Sequence, residues 1–192
     1  MRGKQALLIG ICAIFAVMLT GSWFIWDEYW SEQADEVGRS ETGEVYAQLT
    51  LDDGRDVELR YTPRGLVERH QSSKGGAFSR AQLLYGSEEL KCKDIVLATH
   101  KDTVAAIAGF GLHCPAGNEP DRSMTAVATA DDLDDWDVVI GENFGGWKYL
   151  RFSPSGKHVR FYIPTLDGTA NLHWRFSRGF SQPEGPEDVI PK

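Results

Sequence analysis

Between Val45 and Tyr61 apolar and polar residues alternate strictly on both sides of Asp52-Asp53-Gly54-Arg55. Val45, Ala47, Leu49 and Leu51 precede the turn, and Val57, Leu59 and Tyr61 follow it. A strand sends successive side chains to opposite faces, whereas a helix returns to one face only every ~3.6 residues. Period two around a D-G turn therefore predicts a β-hairpin with one buried face. The C-terminal third repeats the pattern in four runs, 137–141, 147–152, 157–163 and 172–176. Val159, Phe161 and Ile163 alternate with His158, Arg160 and Tyr162, and Leu172, Trp174 and Phe176 with His173 and Arg175. That is a meander with one apolar face and one polar, basic face.

The middle of the chain is less regular. Residues 64–76 are polar and rich in Gly and Ser, which predicts a loop. Residues 81–85 and 90–98 read either as a second hairpin around Gly86-Ser87-Glu88 or as a helix, since Ser79 and Gln82 have capping-box spacing. Ala-rich 103–108 predicts a turn or two of helix before Gly109. Residues 114–123 form a surface loop, and 182–192, with three prolines, a flexible tail. The expected fold class is mainly β: antiparallel hairpins or a meander, as a sandwich or a single curled sheet, with one or two short helices. At 192 residues, 42% apolar and 25% charged, the chain has ordinary globular composition and room for one domain.

Ala6 to Trp26 holds no charged residue. As a helix, these residues would extend ~31 Å, close to the ~30 Å hydrocarbon core of a bilayer. Arg2 and Lys4 precede the run and Asp27 and Glu28 follow it, which predicts a cytoplasmic N-terminus and an exported C-terminal bulk. Trp23, Trp26, Tyr29 and Trp30 suit the outer boundary. Cleavage near Thr20-Gly21-Ser22 would leave Trp23-Phe24-Ile25-Trp26 as a new N-terminus, so an uncleaved anchor is the better reading. The expected organisation is a cytoplasmic tail 1–5, an anchor 6–26, a stalk 27–43, a β-rich domain 44–181 and a tail 182–192. The expected location is the bacterial inner membrane, with the domain in the periplasm.

Cys92 and Cys114 are then the only exported cysteines. An oxidising compartment and a count of two predict a disulfide. It would close a loop of 22 residues and stabilise the fold by roughly 3 kcal/mol. The spacing is not C-x-x-C, so no redox centre is expected.

No catalytic signature is present. The chain has no H-E-x-x-H, G-x-S-x-G, S-x-x-K or P-loop. His158 and His173 are expected as neighbours on adjacent strands, read as an exposed polar pair and not as a metal site. Neither metal nor cofactor is expected. Asp131, Asp132, Asp134, Asp135 and Asp137 fail the EF-hand pattern, and the simplest structural role for them is a helix N-terminus capped by Thr129.

Phe152 to Phe161 (FSPSGKHVRF) resembles the F-S-P-x-G-K phrase of β-propeller blades such as the TolB type. It covers ten residues and occurs once, whereas a propeller repeats such a phrase every ~40 residues. It is read as a strand-turn-strand, and no function is carried over from it.

Charge is segregated. From Glu119 to Asp137 seven carboxylates stand against one Arg, and from Gly146 to Phe180 six basic residues against one Asp. A net charge of -8 and export both argue against nucleic acid. The expected function is therefore recognition of another protein without enzymatic activity. The expected contact residues are Asp131, Asp132, Asp134, Asp135 and Trp136. An immunity protein that masks a basic toxin in the periplasm is the concrete form of this role. The competing roles are an envelope assembly subunit and an envelope enzyme with a non-local active site.

Overall fold

A computed structural model of the chain describes residues 37–39, 45–88, 91–111, 119–142 and 144–186. The predicted anchor lies outside the described residues, among which no helix is long and apolar enough to cross a membrane. All regular structure described is β. The strands are β1 (Val37–Arg39), β2 (Val45–Thr50), β3 (Asp56–Thr62), β4 (Gly65–His70), β5 (Gln82–Gly86), β6 (Lys91–His100), β7 (Thr103–Phe110), β8 (Arg122–Thr129), β9 (Asp132–Glu142), β10 (Tyr149–Phe152), β11 (His158–Thr165), β12 (Gly168–Arg175) and β13 (Gly179–Phe180). They form three antiparallel meanders that follow one another in sequence: β1 to β5, β6 to β9, and β10 to β13.

The second sheet is buried on both faces. Ile95, Leu97, Val104, Ala106, Met124 and Ala126 pack with Leu49, Val57, Leu59 and Leu66 of the first sheet. Ala98, Ala105, Ile107 and Val127 pack with Phe152, Val159, Phe161, Leu172 and Trp174 of the third. The molecule is thus a stack of three sheets, which neither a single curled sheet nor a two-layer sandwich describes. The outer face of the third sheet carries Arg, His and Tyr, and a polar outer face ends such a stack.

Three expectations are corrected here. Residues 103–108 are not helical; they are β7, a central strand. A strand covered by sheets on both faces needs small residues on each, and alanine satisfies that need while also imitating a helix signal. Residues 65–70 are a strand and not a loop. Its core-facing positions 68 and 70 are Glu and His, which hides the alternation. Residues 82–86 and 91–100 are strands, but of different sheets, and do not pair as a hairpin.

The edges of the domain also shift. β1 pairs with β2, so the first sheet begins inside the segment read as stalk. Glu184 exchanges backbone hydrogen bonds with Asn171 at 2.7 and 2.8 Å, which fixes the start of the tail. The F-S-P-S-G-K phrase forms the β10–β11 turn, a strand-turn-strand, with Ser153 N–H donating to His158 O at 2.9 Å.

Candidate functional site

The acidic run does not cap a helix. Thr129 ends β8, and Asp132 begins β9 after a short turn. Val127 pairs with Asp137 and Thr129 with Asp132, so two steps along β8 match five along β9. The surplus residues form a hump, the extended form of a β-bulge. Within it Leu133 and Trp136 turn inward, while Asp132, Asp134, Asp135 and Asp137 stay exposed, as does Asp131 before them.

Trp136 is 8% exposed and belongs to the core between the first and second sheets. Its Nε1–H donates to Leu133 O at 2.8 Å inside the hump. The indole is an internal support, and the surface there consists of aspartates alone.

The first and third sheets both brace the hump, which belongs to the second. Arg55, in the β2–β3 turn, donates from Nη2 to Ala130 O at 2.6 Å. Gln82 of β5 donates from Nε2 to Asp134 O at 2.7 Å. Trp174 of β12 donates from Nε1 to Asp137 Oδ2 at 2.7 Å. These bonds fix the backbone of the hump and the carboxylate of Asp137, which lowers the ordering entropy lost on binding.

Next to it lies a cleft of about 150 Å³, lined by Asp132, Asp135, Asp137, Trp174 and Phe176 and floored by β8. Phe176 is 59% exposed and meets Trp174 edge to face, ring centroids 6.5 Å apart. Lys157 Nζ stands 6.0 Å from the Phe176 ring. Three carboxylates and the exposed Phe176 ring around a small concavity suit an organic cation, since ring faces and carboxylates both attract positive charge, while Trp174, 3% exposed, holds Asp137 through its N–H. Trp174 and Phe176 were readable in the sequence only as strand residues. Their place beside the acidic run depends on the packing of the third sheet on the second.

His158 and His173 are neighbours, with Nε2 of the first 2.9 Å from Nδ1 of the second. Burial holds both below the ordinary imidazole range, and the charges of Arg160 and Arg175 add to it; Glu184 opposes the shift at His173. Among the described residues no three His, Cys, Asp or Glu side chains converge as metal ligands.

Cys92 is disulfide-bonded; Cys114, its expected partner, lies outside the described residues. Cys92 stands on β6, an edge strand of the second sheet. A Cβ at Gly109 would stand 2.8 Å from Cys92 Sγ, so the glycine makes room for the sulfur.

No protein-family model, curated protein or solved structure matches the chain.

Proposed function

We propose that this chain is a membrane-anchored recognition protein whose exported β domain binds a partner protein through a Lys or Arg side chain. The cleft carries this reading: Asp132, Asp135 and Asp137 line a concavity of about 150 Å³ beside the exposed Phe176 ring. Carboxylates around the cleft steer a basic surface into place and set the association rate, while the Phe176 ring holds what enters and sets the dissociation rate. Neutralisation of a basic toxin in the periplasm is the narrower form of the role. Its support is the combination of charge, anchor and export in the sequence.

Two measurements test it. A C-terminal alkaline phosphatase fusion is expected to be active and a cytosol-dependent reporter inactive, since Arg2 and Lys4 hold the N-terminus inside. The reverse pattern would remove the periplasmic role.

The second test uses a photo-crosslinking residue at position 176 of the full chain in cells, which is expected to trap a basic partner. With that partner in hand, Asp132→Asn with Asp135→Asn should slow association about tenfold at low salt and flatten its salt dependence. Phe176→Ala should speed dissociation without changing the association rate. Association that ignores the Asn pair places the contact elsewhere. Turnover of an envelope substrate with no crosslinked partner would favour the enzyme instead.

A further inference from the structure

The outward face of the third sheet is built unlike any other surface described. Residues directly opposite on its strands include Arg151 and Arg160, Tyr149 and Tyr162, Arg160 and His173, and His158 and Arg175. Like charges facing each other across adjacent strands repel, and proteins ordinarily place an opposite charge there. Among the described residues no carboxylate forms an ion pair with Arg151, Arg160 or Arg175. Glu184, beside His173, is exposed and follows β13 at the margin of the face.

The two facing arginines are nevertheless held in place. Arg160 Nε donates to Asn171 Oδ1 at 2.7 Å, and Asn171 Nδ2 donates to Thr169 O at 3.0 Å, so β12 orients the guanidinium. The guanidinium carbons of Arg151 and Arg160 lie 5.4 and 5.1 Å from the centroid of the same Tyr162 ring. Tyr149 stacks on Tyr162 at 5.2 Å. Arg151 Nε is buried and meets no hydrogen-bond acceptor.

We infer that Arg151 and Arg160 form a binding site for a phosphate-class oxyanion, held between two guanidinium forks on the outer face of the third sheet. Guanidinium donors are planar and match two oxygens of one phosphate, so a single tetrahedral anion can engage both forks and cancel their repulsion. The site lies apart from the acidic cleft and does not depend on the cleft's role. A lipid headgroup phosphate and free phosphate share this chemistry.

The test uses the full chain in uncharged detergent micelles at constant ionic strength. Calorimetric titrations are run with inorganic pyrophosphate and with soluble dihexanoyl-phosphatidylglycerol. Saturable one-to-one binding of at least one of them is expected. Arg151→Gln and Arg160→Gln should each weaken it about tenfold, and Arg160→Lys, which keeps the charge and loses the fork, should weaken it by less. Binding of the lipid alone assigns the anion to a headgroup, and binding of pyrophosphate alone assigns it to a free phosphate compound.

Thermal unfolding separates binding from packing. Because Arg151→Gln relieves a repulsion, its melting temperature without ligand should match or exceed that of the unmodified chain. Failure of both ligands to bind, or binding unchanged in both Gln variants, would overturn the site. A lowered melting temperature with unchanged binding would mark the arginines as packing elements.

Discussion

Replacing Glu68 by Gln is expected to stabilise the protein at alkaline pH and to leave it nearly unchanged at pH 4.5. Glu68 sits on β4 opposite Leu59 and points between the first and second sheets, with no exposed surface. His70 Nδ1 lies 3.0 Å from its Oε1, while Oε2 has no hydrogen-bond partner. Burial, aided by the negative charge of Asp134, pushes its pKa up to about 8 from 4.5. A carboxyl that holds its proton more tightly when folded favours folding fully below the unfolded pKa. That contribution declines as pH rises and is gone above the folded pKa. The window is therefore pH 4.5 to 8. The amount at stake is on the order of 5 kcal/mol, at 1.36 kcal/mol per pKa step. Gln reproduces the shape of the neutral carboxyl and does not ionise. Urea unfolding at pH 5, 7 and 9 should show the unmodified chain losing several kcal/mol and Glu68→Gln staying nearly level. Parallel curves would mean that the carboxyl finds compensation when charged. The His158–His173 pair acts in the opposite direction. Its lowered pKa values favour folding above pH 6.5, and that advantage fades as pH falls.

Gly65→Ala should cost about 3 to 5 kcal/mol, enough to remove much of the stability of an ordinary domain. Gly65 opens β4 with φ at +133°, a conformation that L-residues with a side chain rarely adopt. A Cβ there would fall 1.9 Å from Tyr85 O and 2.9 Å from the Gly86 Cα, both backbone atoms of β5. The neighbouring strand must then move or φ must change, and either loosens the β3–β4–β5 meander. Gly75→Ala is the control: its φ is +68°, but nothing lies within 4 Å of the added Cβ. That change should cost about 1 kcal/mol. Equal losses in urea unfolding at the two sites would show that backbone conformation alone matters and the clash relaxes.

The strands that border solvent on one face were legible in advance. β2, β3, β11 and β12 each alternate apolar and polar residues, because one face meets another sheet and the other meets water. The turns Asp52-Asp53-Gly54-Arg55, between β2 and β3, and Ser153-Pro154-Ser155-Gly156, between β10 and β11, use residues whose backbone preferences are local. The neighbouring histidines were legible too, since the register of one hairpin places residues 158 and 173 on one face.

The unread parts share a physical cause. β7 has no polar side, so no alternation marks it, and its alanines are small because sheets press on it from both directions. β4 places Glu and His where a core strand ordinarily has apolar residues. The acidic run carried a charge signal but no indication of shape. Its hump exists because Leu133 and Trp136 reach the core only if the backbone between them bulges. Local sequence thus set strand type, turn position and the sign of charge on each segment, all of which depend on near neighbours in the chain. Which faces are doubly covered, and that Asp132, Asp135 and Asp137 meet Trp174 and Phe176, was decided by the stacking of the third sheet on the second. Those contacts join residues some forty positions apart, where packing of the whole core outweighs any local preference.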